Sequence, residues 1–312
     1  MTMLSSRKKQ VHAEEQDILN SDYKGRTLAQ ETWGRLKRNK GAMAGLIILA
    51  VLIGISISTI IIDLVTHYSL YQKYVTMQNL KLKLAPPGQG HVLGCDEYGR
   101  DILMRMIWGT RYSLFMGLGS MVFSLIIGAI IGAVSGYLGG WVDNLLMRLM
   151  DILLSIPAIL LAVALVAAFG TSILNLILAI GIPQVPGFAR VLRASIMTVK
   201  DKDFVESAKA SGASEIRIVV RYILPNCVSA VIVRFALSVA QSILDIAGLS
   251  FIGLGVQPPT PEWGAMLSAA RNYIRDAWHI TVIPGLGIVL SVLALNLFAD
   301  GIRDALDPNM KR

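Results

Sequence analysis

Six stretches of this chain are long and apolar enough to cross a lipid bilayer, and this limits what else the chain can build. A hydrocarbon core about 30 Å thick needs roughly 20 mostly apolar residues in helical form. The stretches are Gly41–Ile62, Leu114–Leu138, about Leu149–Phe169, Ser172–Phe188, Val228–Gly255 and Val282–Ile302. The fourth is short and interrupted by Pro183 and Pro186. Composition agrees: 54% of the 312 residues are hydrophobic and 16% are charged, against about 25% charged in soluble domains. A disordered chain lacks this much apolar residue. The expected fold class is all-α, a polytopic membrane helix bundle with six transmembrane helices. The first run starts late and exceeds the roughly 7–15 residues of a secretion-signal core. No small-residue cleavage site follows it, so it reads as a true span with no cleaved leader.

The basic residues orient the bundle. With both ends inside, the inner segments hold 20 Lys and Arg and the outer segments 8, and Arg234 within the fifth span completes the 29. Basic residues favour the cytoplasmic side, so the expected topology is N-in and C-in. The expected organisation is a cytoplasmic tail (1–40), a first span (41–62), an extracytoplasmic loop (63–113) and a core with five spans (114–312). A cytoplasmic loop at 200–226 belongs to that core. The net charge of +8 is then a topology signal. A nucleic-acid surface needs basic residues interleaved with exposed aromatics on a soluble module, and none is visible. Cys95 and Cys227 fall on opposite sides and are expected not to pair.

Within the second span, Gly128, Gly132 and Gly136 recur every fourth residue. They share one face, where a neighbouring helix can approach closely and gain dispersion contact. Asp245 lies in the middle of span five. A carboxylate there is costly unless it faces protein or water, so it should face the bundle interior. Either it lies toward a translocation pathway, or it is a structural partner for Arg234 or for a neighbouring helix. Arg234 is near enough to the inner end to snorkel. Asn296 and Asp300 read as packing and interface residues.

The loop at 200–226 is more than a connector. Asp203 followed by Glu206 fits a capping box. The helix then runs through Ala208 and Ala210, and Gly212 suits the left-handed position that ends it. A second short helix from about Ser214 reaches Ile223, and Pro225 forbids simple continuation. The product is a helix–glycine–helix elbow. Ser207, Ala208, Ala210 and Ser211 are small enough for its first helix to sit in a groove of another molecule. An amphipathic helix lying on lipid headgroups is the other reading.

The run Glu206-Ser-Ala-Lys-Ala-Ser-Gly212, followed by Arg221-Tyr-Ile-Leu-Pro225-Asn226, resembles the EAA loop of bacterial ABC-importer permeases. Ser207 replaces the middle Ala, Tyr222 stands where His is common, and Leu224 follows Gly212 by twelve residues. Three further segments are similar to the C-type subunits of the dipeptide/oligopeptide family. They are His91-Val-Leu-Gly-Cys-Asp-Glu-Tyr-Gly-Arg-Asp101, Leu249 to Gly264 (ending Pro-Glu-Trp-Gly), and Asn296-Leu-Phe-Ala-Asp-Gly-Ile-Arg-Asp-Ala-Leu-Asp-Pro308. Cys95, Val92 and Ala299 depart from the usual Thr, Pro and Gly. The resemblance covers about residues 25–312.

The resemblance implies a type I ABC importer fold and a peptide-translocating permease subunit in the cytoplasmic (inner) membrane of a bacterium or archaeon. It implies a homologous permease as heterodimer partner, two ABC ATPase subunits, an extracytoplasmic solute-binding protein and surrounding membrane lipid. ATP and Mg would be held by the ATPases, with no cofactor in this chain. Asp203, Glu206, Ser207, Ala208, Gly212, Leu224 and Pro225 would form the ATPase-coupling element. A nickel or other small-solute importer is the nearest alternative, and an ion-coupled secondary transporter a more distant one, for which Asp245 alone is thin support. The chain has no Gly-x-x-x-x-Gly-Lys-Ser/Thr phosphate loop, and His12, His67, His91 and His279 are scattered. A non-catalytic subunit is therefore expected.

In the outer loop 256–281, Thr260-Pro261 fits an N-cap followed by proline at the first helical position. Trp263, Met266, Leu267, Ala270, Tyr273, Ile274, Ala277 and Trp278 then mark one apolar face at helical spacing. Glu262, Trp263 and Arg271 are candidates for contact with the binding protein, with an interfacial anchor as the other reading. Asp96, Arg100 and Asp101 read as a fold-fixing salt-bridge cluster in preference to a docking surface.

Overall fold

The computed structural model describes residues 28–88 and 90–306. The first 27 residues of the expected tail and Pro308 of the C-terminal motif lie outside the described residues. Helices α1 (Leu28–Leu36), α2 (Lys40–Val65), α3 (Ile102–Leu138), α4 (Gly140–Ser155), α5 (Ala158–Phe169) and α6 (Ile173–Gly181) form the first half. Helices α7 (Val185–Val199), α8 (Asp203–Ala210), α9 (Glu215–Ile218), α10 (Leu224–Phe251), α11 (Trp263–Ala270) and α12 (His279–Leu306) complete it. The described residues form no strand beyond one isolated bridge between Cys95 and Asp101. Five helical segments are long and apolar enough to cross a membrane, and six if one bent pair counts as a span.

The observed spans differ from expectation where prolines and charges interrupt the apolar runs. The second span starts at Ile102, not Leu114. Asp101 caps it by accepting from the Met104 N–H at 2.9 Å. Its first turns carry Arg105 and Arg111, which lower local hydropathy but are paired. Arg111 lies 2.6 Å from Asp63. Arg105 lies 3.3 Å from Asp96 and donates to the carbonyls of Val75 and Pro259. The expected third span is not one straight helix. Helices α4 and α5 meet at an 86° bend beside Pro157, where proline removes a backbone donor and the residue before it leaves helical conformation.

The other prolines restart helices. Residues Ile173–Val199 form one span, well beyond the expected end at Phe188. Pro183 and Pro186 fall in the first turns of a 3₁₀ turn (Ile182–Gln184) and of α7, where a missing N–H costs little. Pro225 likewise falls in the first turn of α10 and does not end the elbow's second limb. Residues Glu215–Phe251 run as one helical span through a π-helical stretch, Val219–Ile223. The wider π turn bonds the Leu224 N–H to the Val219 carbonyl and accommodates the proline ring. The last span is also longer than expected, His279–Leu306, with Pro284 inside it.

Packing centres on α3. Its glycine stripe lies against the α7 backbone. A Cβ at Gly128 would stand 2.8 Å from the Val185 carbonyl oxygen, one at Gly132 would overlap the Ala189 carbonyl, and one at Gly136 would stand 3.0 Å from the Arg193 carbonyl. Gly45 of α2 makes the equivalent approach to α12, with a Cβ 2.6 Å from the Ala294 carbonyl. Helix α1 closes against α12 through Leu36 beside Gly301. Helices α3, α10 and α12 share the main apolar core, which includes Met116, Met121, Ile243, Ile246, Ile288 and Ala294. A second cluster lies under the elbow.

Replacing Gly132 with Ala should destabilise the protein by about 1–3 kcal/mol through overpacking against backbone that cannot yield. Gly54→Ala, where a Cβ meets nothing within 4 Å, should leave stability unchanged or slightly raised. Thermal unfolding of the detergent-solubilised variants distinguishes the two.

Candidate functional site

The elbow is built on helix α8. Lys202 occupies the N-cap position without a side-chain cap, and its carbonyl accepts the first helical bonds from Val205 and Glu206. The capping-box expectation is therefore corrected. Asp203 is the first helical residue, so its side chain is past the position that caps. Asp203 and Glu206 instead place negative charge in the first turn, where the helix dipole favours it. The C-terminus follows expectation. Gly212 has φ +77°, the Gly212 N–H reaches the Lys209 carbonyl, and the Ala213 N–H reaches the Ala208 carbonyl. This double bond pattern satisfies the last carbonyls of a helix ended by a left-handed residue.

Val205 and Ala208 turn inward and pack with Leu192, Ile196, Val199 and Ile218. Burial takes Ala208 off the surface offered to a partner, which corrects its expected place on a small-residue docking face. Asp203, Glu206, Ser207 and Gly212 are exposed, as is the large side chain of Phe204. Glu206 forms no ion pair among the described residues. Leu224 packs partly into the cluster and Pro225 is exposed. A bond between the Tyr137 hydroxyl and the Glu215 carboxylate ties the end of α3 to the elbow's second limb.

At the opposite end, α11 differs from the expected arrangement. Glu262, not Thr260, caps it. The Glu262 carboxylate accepts from the Gly264 and Ala265 N–H groups at 2.8 and 2.7 Å, and from the Ser250 and Ser113 hydroxyls at 2.9 and 3.2 Å. It is 2% exposed, as is Trp263, whose indole donates to the Met106 carbonyl at 3.1 Å. Neither side chain is available as a docking contact for a binding protein, and only Arg271 of the expected three is exposed. Burial pushes the Glu262 carboxyl above the usual carboxylate range, opposed by its four donors. Sequence reasoning missed this lock because Ser113 comes from α3, 149 residues away, and Ser250 meets Glu262 only once the loop between α10 and α11 folds back.

The loop charges are structural. Asp96 accepts from the Tyr98 and Arg100 N–H groups and from the Arg100 guanidinium at 2.7 Å, and Asp101 pairs with His91 at 2.6 Å. Both cysteines are free and buried. Burial, with Asp101 and Asp96 nearby, pushes the Cys95 thiol up to about 11, which keeps it protonated and unreactive.

Two charges lie within α10. Asp245 is half-buried, accepts from the Gln241 amide at 2.9 Å, and lines a small cavity with Ala158, Ile159, Ala162, Ile180, Pro183 and Gln184. Arg234 neither pairs with Asp245 nor snorkels along its own helix as expected. Its guanidinium crosses to the α7 side, where Nη2 donates to the Gln184 side-chain oxygen Oε1 at 3.4 Å and Cζ lies 5.9 Å from the Phe188 ring centre. Gly187 leaves the space: a Cβ there would stand 2.7 Å from Nη2.

Comparison with known proteins follows the same lines. Residues 104–312 match the family model described as binding-protein-dependent transport system inner membrane component, and residues 27–87 match the N-terminal TM domain of oligopeptide transport permease C. The chain is 43% identical over 288 residues to the di/tripeptide transport system permease protein DppC of Pseudomonas aeruginosa (strain UCBPP-PA14), covering 90% of this chain and 92% of the relative. It is 42% identical over 292 residues to the dipeptide transport system permease protein DppC of Escherichia coli (strain K12), covering 92% and 95%. It is 42% identical over 286 residues to the glutathione transport system permease protein GsiD of Shigella flexneri serotype 5b (strain 8401), covering 92% of each. Among solved structures, a chain of the inward-facing MetNI methionine ABC transporter superposes with a TM-score of 0.54 at 17% identity, covering 66% of this chain and 98% of that one. The likeness extends to the fold.

Glu262→Ala removes the acceptor of four bonds, two of them from backbone. It should destabilise the protein by about 1–3 kcal/mol or more, while Arg271→Ala, at an exposed position, should stay within about 0.5 kcal/mol. Thermal unfolding of both variants checks this.

Proposed function

The chain belongs to the family of inner membrane components of binding-protein-dependent transport systems, and from that premise we propose that it is the permease subunit of an ATP-driven importer of short peptides. Full-length similarity to relatives named for di- and tripeptides, dipeptides and glutathione (itself a tripeptide) supports a peptide substrate. One structural observation carries the coupling role. Helix α8 is anchored by Val205 and Ala208 onto a span that runs unbroken from Glu215 to Phe251, while Glu206 is left exposed.

In this reading the elbow end faces the cytoplasm, in line with the excess of basic residues there. Two ATPase subunits hold ATP and Mg and grip α8 through Asp203, Glu206 and Ser207. A second permease completes the membrane unit, and a solute-binding protein delivers substrate at the opposite end. When the ATPases close, they move α8 as a rigid body. The motion passes into α10 without a hinge, because Gly212 and the double-bonded helix end fix the α8 angle and the π turn keeps the span continuous. The span movement opens the substrate path to alternate sides, with Asp245 lining it. For this to couple, the ATPases must bind the elbow differently in their open and closed states.

Glu206→Lys and Gly212→Pro should each lower peptide uptake by at least about tenfold, within the usual range of coupling energies, with membrane insertion near wild type. Uptake in a strain lacking the native gene, read beside the amount of inserted protein, checks this. Wild-type uptake by either variant contradicts the assignment.

A further inference from the structure

Ionised side chains inside an apolar span are expensive unless paired, and several in this bundle are paired. Asp63 meets Arg111 at 2.6 Å, Asp151 meets Arg190 at 2.6 Å, and Asp143 meets Arg193. Arg234 and Asp245, both within α10, have no counter-charge among the described residues. They do not neutralise each other, because eleven residues separate them. Eleven residues are about three helical turns, so the two side chains share one face, roughly 16 Å apart along the axis.

Neither charge is fully satisfied within the bundle. The Arg234 guanidinium is positioned by Gln184, Phe188 and the space at Gly187, and its buried Nε has no acceptor. Asp245 has one oxygen occupied by Gln241. Gln184 links the two ends, since it touches Arg234 and shares a cavity wall with Asp245. Between the opposite charges lie two amides, Gln184 and Gln241, able to donate and accept. We propose that Asp245 and Arg234 form a two-ended subsite for a zwitterionic peptide backbone, Asp245 taking the α-ammonium and Arg234 the α-carboxylate. This rests on the peptide-import reading. The spacing selects length. An extended chain advances at most about 3.5 Å per residue, so a single amino acid cannot meet both groups at once. The carboxyl end of the peptide points toward the elbow.

The test uses the complete transporter, with partner permease, ATPases and binding protein, reconstituted in proteoliposomes, and measures uptake of labelled di-, tri- and tetraalanine. Asp245→Asn and Arg234→Gln should each lower uptake about tenfold or more, the usual effect of losing a charge-assisted bond. Asp245→Glu and Arg234→Lys should recover most of it. In nanodiscs without the binding protein, N-acetylation of trialanine should weaken binding about tenfold for wild type and not further for Asp245→Asn. C-amidation should behave likewise for Arg234→Gln. If wild type takes up none of the peptides, the peptide-import reading falls and the subsite with it. If wild type takes them up and the neutral variants match it, only the subsite is overturned. It is also overturned if the charge-conserving variants are as impaired as the neutral ones, or if the caps weaken binding to wild type and variants equally.

Discussion

The rest of the bundle depends on the backbone contact between α3 and α7. Lipid gives two helices no hydrophobic reason to associate, so contact must come from dispersion and polar bonds at short range. Three glycines four residues apart remove the side chains that would hold the helices apart, and α7 settles onto them along its Val185–Arg193 stretch. Serines reinforce the same neighbourhood. The Ser124 hydroxyl donates to the Gly181 carbonyl, and Ser242 of α10 donates to the Gly117 carbonyl of α3. With α3 thus fixed to α7 and α10, the elbow that joins those two helices has a rigid base.

That base explains the form of the elbow. Its first helix is too short to be stable alone, and it is held by burying Val205 and Ala208 in the cluster beneath. The same burial decides which side chains remain for a partner. The helix continues through the π turn into α10, so the elbow's second limb and the charges at Arg234 and Asp245 lie on one continuous span.

At the other end, charge does the work that glycine does in the middle. Asp96 joins two arginines, Asp101 joins a histidine to the cap of α3, and Glu262 joins α3, α10 and α11. Asp96 and Glu262 are buried with several donors, the condition under which a buried polar group stabilises a fold and does not strain it, and the half-buried Asp101 is held by His91 and the Met104 N–H. The segment resembling the family motif at 91–101 is therefore a clamp, and the Pro-Glu-Trp-Gly segment is a second one.

The sequence by itself determined the all-α membrane class, the spans as regions, the glycine face, the stop at Gly212 and the family. These depend on length, period and local backbone geometry, which neighbouring residues carry. Only the tertiary structure decided where the spans begin and end and which site residues face outward. Ile102–Ser113 reads as loop until Asp63 and Asp96 neutralise its arginines. Pro183, Pro186 and Pro225 read as stops until the preceding turns tighten or widen around them. Glu262, Trp263 and Ala208 read as surface until distant helices close over them. For Arg111, Glu262 and Ala208 a deciding partner lies on another helix, and for the prolines it is the geometry of the adjoining turn, so a charge, a proline or a small residue is tolerated or hidden according to what folds against it.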